Sequence, residues 1–413
     1  MNNELDVRVD RPANGGAGVG RDKNGRTTFC EGALPGEVVR VSLTQEKKRF
    51  ARGVVVDVLE PSPDRIEPNC RTRREGCGGC DMAHTGIDTQ RDIKAHVVRD
   101  ALTRIGRFSS EDLDGAWSGF LEDESGSEVD DGWYRTTARL GIANERLGYR
   151  RAASHDVIHP SECGVVHPLL DELIADARFP DSAGPEVMLR VSHATGERIV
   201  VVDGSTSGVK APGDVTLVSQ TQLAAGADVS LVEDAAARSW VVSAGSFFQA
   251  GPRVATRLVE AVREAAGDCN ERSVVDAYAG VGLFAGTIAA SAAELVTIES
   301  SASSVRDAER NLADQRAAGQ KLELICSEVE AWTPQSADVV IADPARAGLG
   351  ADGVQVLTAT AAERLVLVSC DTGSLGRDAG LIRDAGYTLD SVRLVDAFRD
   401  TSHVEVVTSF QRA

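Results

Sequence analysis

Two periods of apolar and polar residues organise the chain. Between 246 and 413, short apolar runs recur at Ser273–Ala277, Leu295–Glu299, Leu322–Cys326, Asp338–Ala342, Leu365–Ser369, Leu389–Val395 and His403–Phe410. Segments with helical spacing separate them, such as Pro252–Ala266 and Ser303–Ala313. Strands alternating with helices predict a parallel, doubly wound α/β sheet. The last two runs are too close for a crossover helix, so they are expected to pair antiparallel and complete a seven-stranded, Rossmann-like sheet.

The first 60 residues have the other period. Val7-Arg8-Val9, Thr27-Thr28-Phe29, Val38–Val41 and Val54–Val58 read as strands, separated by turns such as Asn14-Gly15-Gly16-Ala17-Gly18 and Lys23-Asn24-Gly25. Several short strands in so few residues predict a small OB-type barrel. Residues 61–245 form a mixed central domain. It holds a helix over Gln90–Gly106, an acidic loop over 119–131, and strands at Val187–Val191, Arg198–Val202 and Val215–Val218.

The chain has 413 residues, enough for three domains: 1–60, 61–245 and 246–413. Hydrophobic residues make up 42% and aromatics only 4%, so Ala, Val and Gly fill much of the core. Apolar runs long enough to cross a membrane are missing, and Met1–Asp6 does not resemble a leader, so a cytoplasmic monomer without membrane attachment is expected. The net charge of −19 argues against a polyanionic partner. Its distribution changes that picture. Residues 1–109 carry 19 Lys+Arg against 16 Asp+Glu, and the remainder 25 against 47. If the protein binds nucleic acid, the first part is the handle.

Val275-Asp276-Ala277-Tyr278-Ala279-Gly280-Val281-Gly282-Leu283-Phe284 runs from an apolar strand into a glycine turn, with a helix expected next. Glycines let a ligand approach the backbone, and ligands bind beyond the carboxyl ends of such strands. The turn lacks the three-glycine pyrophosphate pattern, and Glu299 ends the next strand, placed to accept hydrogen bonds from a ribose diol. Both points favour S-adenosylmethionine. A glycine turn alone could also hold NAD or a phosphate, and NAD enzymes use an acid at the same place, so Glu299 does not discriminate by itself.

Two later strands end in reactive side chains. Val339–Ala342 leads to Asp343-Pro344, and Leu365–Ser369 leads to Cys370-Asp371. His403-Val404-Glu405 opens the last predicted strand, with His403 and Glu405 on one face. A thiol, two carboxylates and a methyl-donor pocket imply one reaction. A thiolate adding to C6 of a pyrimidine makes C5 nucleophilic, C5 accepts a methyl group, and a carboxylate removes the C5 proton. Cys370 is the expected nucleophile and Glu405 the expected base. Ser246-Phe247-Phe248-Gln249 is a candidate second wall of the pocket.

Cys70-x6-Cys77-x2-Cys80 crowds three thiols into eleven residues, and Cys163 can supply a fourth. Four thiolates suit tetrahedral zinc or a [4Fe–4S] cluster, and spacing does not separate the two.

Together these motifs resemble the RNA 5-methyluridine methyltransferases, which modify uridines in 23S ribosomal RNA and in the tRNA T-loop. The resemblance spans nearly the whole chain and is densest over 246–413. It implies a methyltransferase fold for 246–413 and a TRAM domain, an RNA-binding module, for 1–60. It also implies a [4Fe–4S] cluster on Cys70, Cys77, Cys80 and Cys163. Gln249, Tyr278, Glu299, Glu328 and Asp343 fall on cofactor positions, Cys370 on the nucleophile and Glu405 on the base. Leu283 stands where the family often has an Asn that contacts the cofactor. Other departures are Ala250-Gly251 after Phe-Phe-Gln, Ala279 for Cys, Ala345 for Pro, and Thr372-Gly373 after Ser-Cys-Asp. Uridine in 23S rRNA is the expected target. A tRNA uridine and RNA cytosine C5 remain open, as does a non-catalytic RNA-binding assembly factor with a degenerate fold.

Overall fold

The computed structural model describes residues 4–122, 132–152, 154–160 and 162–413. Five strands, β1 (Glu4–Pro12), β2 (Gly18–Arg21), β3 (Thr27–Glu31), β4 (Val38–Glu46) and β5 (Phe50–Glu60), close into a barrel in the order β1-β2-β3-β5-β4. Alternation puts Val7, Val9, Cys30, Val39 and Val41 inside it. Closure leaves this small sheet no free edge.

The helix Ile87–Arg104 and β6 (Trp117–Phe120) come next. Of the acidic stretch expected as a loop, residues 119 and 120 belong to β6, and 123–131 lie outside the described residues. A six-stranded sheet follows, built from β7 (Thr137–Ala143), β8 (Arg146–Arg150), β9 (Val157–Ile158), β10 (Glu186–Val191), β11 (Arg198–Val202) and β12 (Thr216–Ser219). A hairpin, β13 (Ser230–Ala235) and β14 (Arg238–Ser243), leads into the helix Pro252–Ala266.

The C-terminal sheet contains β15 (Ser273–Ala277), β16 (Glu294–Glu299), β17 (Lys321–Cys326), β18 (Val339–Ala342), β19 (Arg364–Ser369), β20 (Tyr387–Val395) and β21 (Glu405–Arg412). Its order is β17-β16-β15-β18-β19-β21-β20-β6, eight strands where seven were expected. β6 pairs parallel with β20 and covers an edge that would otherwise be open. Arg99 reinforces it by stacking its guanidinium 4.1 Å from the Trp117 ring.

The glycine turn does not lead into a helix. Residues 280–291 form successive turns, closed by bonds such as Gly286 N–H to Gly282 O at 2.8 Å. Gly286 packs under Trp240, where a Cβ would meet the indole at 2.7 Å, so this segment is shaped by tertiary packing.

One apolar core runs from the six-stranded sheet (Ile199, Val201) through Trp240 and the helix Pro252–Ala266 to the C-terminal sheet (Val366, Val407). A second covers that sheet's other face and includes Val98 and Leu102 of the helix Ile87–Arg104. That helix also holds the loop between β20 and β21. Lys94, fully buried, donates to Asp396 Oδ1 at 2.7 Å and to Phe398 O at 3.1 Å. Gln90 exchanges two hydrogen bonds with Asp400. Breaking one partner of such a buried ion pair typically costs about 3–5 kcal/mol. The loop entering β21 is therefore rigidly placed.

Candidate active site

Where each strand ends decides the site. β15, β16, β18 and β19 are parallel, so their carboxyl ends share one edge of the sheet. Asp343 follows β18 and Cys370 follows β19. β21 runs antiparallel to β19 with Ser369 opposite Val406. Extending that register by one residue sets Glu405 opposite Cys370. His403 lies in the loop before β21, which starts at Glu405, so the shared strand face expected for the two residues is not formed. His403 is instead held by Arg346, whose Nη2 lies 3.2 Å from its Nε2. A guanidinium can only donate, so Nε2 accepts.

Cys370 is half-buried and lines a cleft of about 210 Å³ with Arg346, Thr372 and His403. Burial, then the charges of Glu405 and Asp343, push its thiol up to about 12, while Arg346 pulls it down. Glu405, only 6% exposed, is pushed up to about 8 by burial and by Asp343, against Arg346. Asp343 is pushed up to about 7 by burial, against the hydrogen bond donated by Gln249 Nε2 at 3.2 Å. Crowded acids with few cations resist ionising together, so protons can be held and released here near neutral pH. Asp371 is committed elsewhere, since its carboxylate caps the helix Thr372–Asp384 through Ser374 N–H at 2.9 Å.

Gln249 reaches Asp343 because the turn before it is clamped. Arg190, itself buried, donates to Ser243 O and Ser246 O, each at 2.8 Å. Asp307 accepts from Ser243 N–H and Oγ–H. In the Phe pair, Phe248 is buried and Phe247 is 68% exposed.

On the neighbouring side, Tyr278, Gly280 and Gly282 have positive φ values of 59°, 55° and 91°. The Glu299 carboxylate accepts from Gly280 N–H at 3.0 Å and Ser301 N–H at 2.6 Å, tying it to the glycine loop. Tyr278 donates its hydroxyl to Glu330 at 2.9 Å, with the exposed Glu328 nearby. Leu283 is buried in the apolar core and offers no polar group.

Sequence reasoning missed Asp276. It is fully buried, with Oδ2 accepting from Ala285 N–H at 2.8 Å and Oδ1 without a partner. Burial pushes it up to about 8. A carboxylate inside an apolar run was the available signal. An orphaned acceptor under a glycine loop fits a ligand with a cationic, hydrogen-bonding end, as the methionyl group of S-adenosylmethionine has.

Cys70, Cys77, Cys80 and Cys163 converge from two distant segments. Burial raises Cys77, Cys80 and Cys163, and the charges of other thiols in the set raise each of them further. The buried Tyr149 hydroxyl lies beside Cys163 with no nitrogen or oxygen partner. Among the described residues, no group of three or more His, Cys, Asp or Glu is close enough to hold a single metal ion. Among the same residues, no helix is long and apolar enough to cross a membrane.

Comparison with known proteins agrees with this arrangement. Residues 2–56 match the TRAM domain model. A Streptomyces avermitilis protein named as an RNA methyltransferase is 31% identical, with 100% of this chain and 99% of that protein aligned. The 23S rRNA (uracil(1939)-C(5))-methyltransferase RlmD of Chromohalobacter salexigens is 32% identical over 97% of this chain and 87% of its own length. Among solved structures, the Pyrococcus abyssi tRNA (uracil-54, C5)-methyltransferase in complex with S-adenosyl-L-homocysteine superposes with a TM-score of 0.71. That match covers 98% of this chain and 99% of the other, at 21% identity, and establishes the shared fold. With a TRAM barrel in front of a methyltransferase sheet, and relatives aligned end to end, the chain belongs to the RNA 5-methyluridine (uracil-C5) methyltransferase family.

Proposed function

We propose that this protein transfers a methyl group from S-adenosylmethionine to C5 of a uridine in RNA, 23S rRNA being the favoured substrate. The observation that carries the reading is the register of β19 and β21, which sets Glu405 opposite Cys370 beside the Gln249–Asp343 pair. The cofactor, when bound, supplies an electrophilic methyl group. Gln249, Tyr278, Glu299, Glu328 and Asp343 are assigned to its pocket, Leu283 to the apolar wall behind it, and Asp276 joins them.

Burial holds the resting Cys370 as a thiol, and it releases its proton to solvent at the cleft as its sulfur adds to C6 of the uracil, with the Arg346 guanidinium favouring the thiolate. The C5–C6 double-bond electrons move toward C5 and O4, and C5 would take the methyl group as its bond to the cofactor sulfur breaks, leaving S-adenosylhomocysteine. Glu405 then removes the C5 proton. The C5–C6 double bond re-forms as the C6–sulfur bond breaks, and the electron pair returns to Cys370. Covalent addition divides one hard substitution into easier steps. The raised Glu405 carboxyl is suited to this work, because its ionised form is a strong base held out of water.

The assay is methyl incorporation into RNA transcripts. Uridine-containing transcripts should yield 5-methyluridine by mass spectrometry, and transcripts lacking uridine should take up nothing. Methylated cytidine as the product would overturn the reading.

The same proposal gives Cys70, Cys77, Cys80 and Cys163 to a [4Fe–4S] cluster. Support comes from four thiols gathered from two segments, whose charges act on one another, with the Tyr149 hydroxyl beside Cys163. Protein purified without oxygen should contain about four irons and as much acid-labile sulfide per chain. One zinc and no sulfide would exclude it.

A further inference from the structure

The barrel reaches the catalytic cleft. Asn14 and Gly15, in the turn between β1 and β2, line the same cavity as Cys370. The turn is closed by Ala13 N–H to Ala17 O at 2.8 Å and has φ values of +80° at Gly15 and +75° at Gly16. Gly16 leaves no room for a side chain, since a Cβ there would lie 2.8 Å from Asp81 Oδ2 and 3.0 Å from Ser402 Cβ. Asp81 in turn accepts from Ser402 N–H at 2.8 Å and Oγ–H at 2.6 Å. On the other side, the Asn14 amide nitrogen comes within 4.0 Å of where a Cβ of Gly373 would sit. The turn thus bridges the start of the helix after Cys370 and the loop before Glu405.

The chemistry of the adduct says what passes this turn. In uracil, the carbon that meets the Cys370 sulfur is bonded to N1, which carries the ribose. The ribose C1′ is therefore two bonds from the attacked carbon, and the sugar with its phosphates lies beside it, toward the open side of the cleft. Asn14 is exposed there, and among the described residues Arg346 is the one cation lining the cavity. We propose that Asn14 hydrogen-bonds the sugar-phosphate backbone of the nucleotide being modified, so the barrel helps select the nucleotide as well as holding distant RNA. This rests on the uridine-methylation reading above. An amide both donates and accepts, which suits a ribose hydroxyl or a phosphate oxygen.

The test compares kinetics on 23S rRNA transcripts, using full-length protein. Asn14 is an exposed turn residue, so Asn14→Ala should fold and melt as the wild type. It should raise KM by about three- to tenfold, the scale of one net hydrogen bond, and leave kcat within about twofold. Asn14→Asp should raise KM more. Transcripts made with 2′-deoxyuridine separate the two contacts. If the wild type loses affinity for them and Asn14→Ala loses no more, the partner is the ribose hydroxyl. If Asn14→Ala weakens both transcripts equally and Asn14→Asp weakens them in a salt-dependent way, it is the phosphate. Wild-type KM in both variants would overturn the proposal. Failure of the wild-type protein to form a covalent adduct with 5-fluorouridine RNA would instead remove the uridine reading beneath it.

Discussion

Cys370→Ala is expected to abolish methyl transfer, with kcat falling on the order of 10⁴-fold or more, the usual scale for loss of a catalytic nucleophile. RNA containing 5-fluorouridine makes the result direct. Fluorine at C5 cannot leave as a proton, so once sulfur has added and the methyl group has arrived, the C6–sulfur bond cannot be broken by the normal route. Wild-type protein should then carry RNA through a denaturing gel in the presence of cofactor, and Cys370→Ala should carry none. Folding offers no alternative explanation. The residue is half-buried at a strand end, and removing one sulfur there should change stability by about 1 kcal/mol or less. RNA affinity and cofactor affinity should persist. An adduct formed equally well by the alanine variant would place the nucleophile elsewhere and end the mechanism.

The C-terminal sheet was readable because its central strands, β15, β18, β19 and β21, are buried on both faces and most of its strands are separated by helical spacing. Ser273–Ala277 was located to the residue, and Asp343 and Cys370 were legible as reactive groups just past apolar runs. What local pattern could not give was context. β6 is short, lies far back in the chain and is recruited by the open edge of β20, so nothing in Trp117–Phe120 itself points to the C-terminal sheet. Residues after Gly282 have the small apolar composition of a helix, yet they form turns, with Gly286 packed too closely under Trp240 to carry a side chain. β13 and β14 also went unread, though their hairpin supplies the Trp240 that does this packing.

The same division holds in the site. Cys370, Asp343 and Glu405 carry recognisable chemistry at strand ends, but their neighbours act through distance. Asp276 reads as one polar residue in an apolar strand, and only its orphaned Oδ1 marks it out. Arg190 and Lys94 look like ordinary surface cations in the sequence. Both are buried, one clamping the turn before Gln249 and the other fixing the loop before Glu405. Asn14 belongs to a barrel expected to bind RNA, and only the fold, with the turn packed against Ser402, brings it to the cleft.

Glu405→Gln should separate the two halves of the reaction. Glutamine keeps the size and hydrogen-bonding capacity of the side chain but cannot take the C5 proton. Cys370 can still add to C6 and C5 can still be methylated, so a methylated covalent complex should accumulate on ordinary uridine RNA, without fluorine. Turnover should fall by about 10²- to 10⁴-fold, the range for loss of a general base. The pH dependence gives a second readout. Because Glu405 is raised to about 8 and works only when ionised, wild-type turnover should climb with pH and change slope near that value. This change of slope should be lost in the glutamine variant, where only the rise due to the Cys370 thiol remains. Stability follows the opposite course. The folded protein holds a proton on Glu405 that the unfolded chain releases near its ordinary value, about 4.3. That contribution is complete below the unfolded value and is lost as pH rises through about 8. Glu405→Gln should therefore melt like the wild type at about pH 4 and above it at about pH 9, where the wild type must bury a carboxylate beside Asp343. A variant that neither accumulates the complex nor changes the pH profile would show that another group removes the proton, and the facing of Glu405 and Cys370 across the strand register would then be without catalytic consequence.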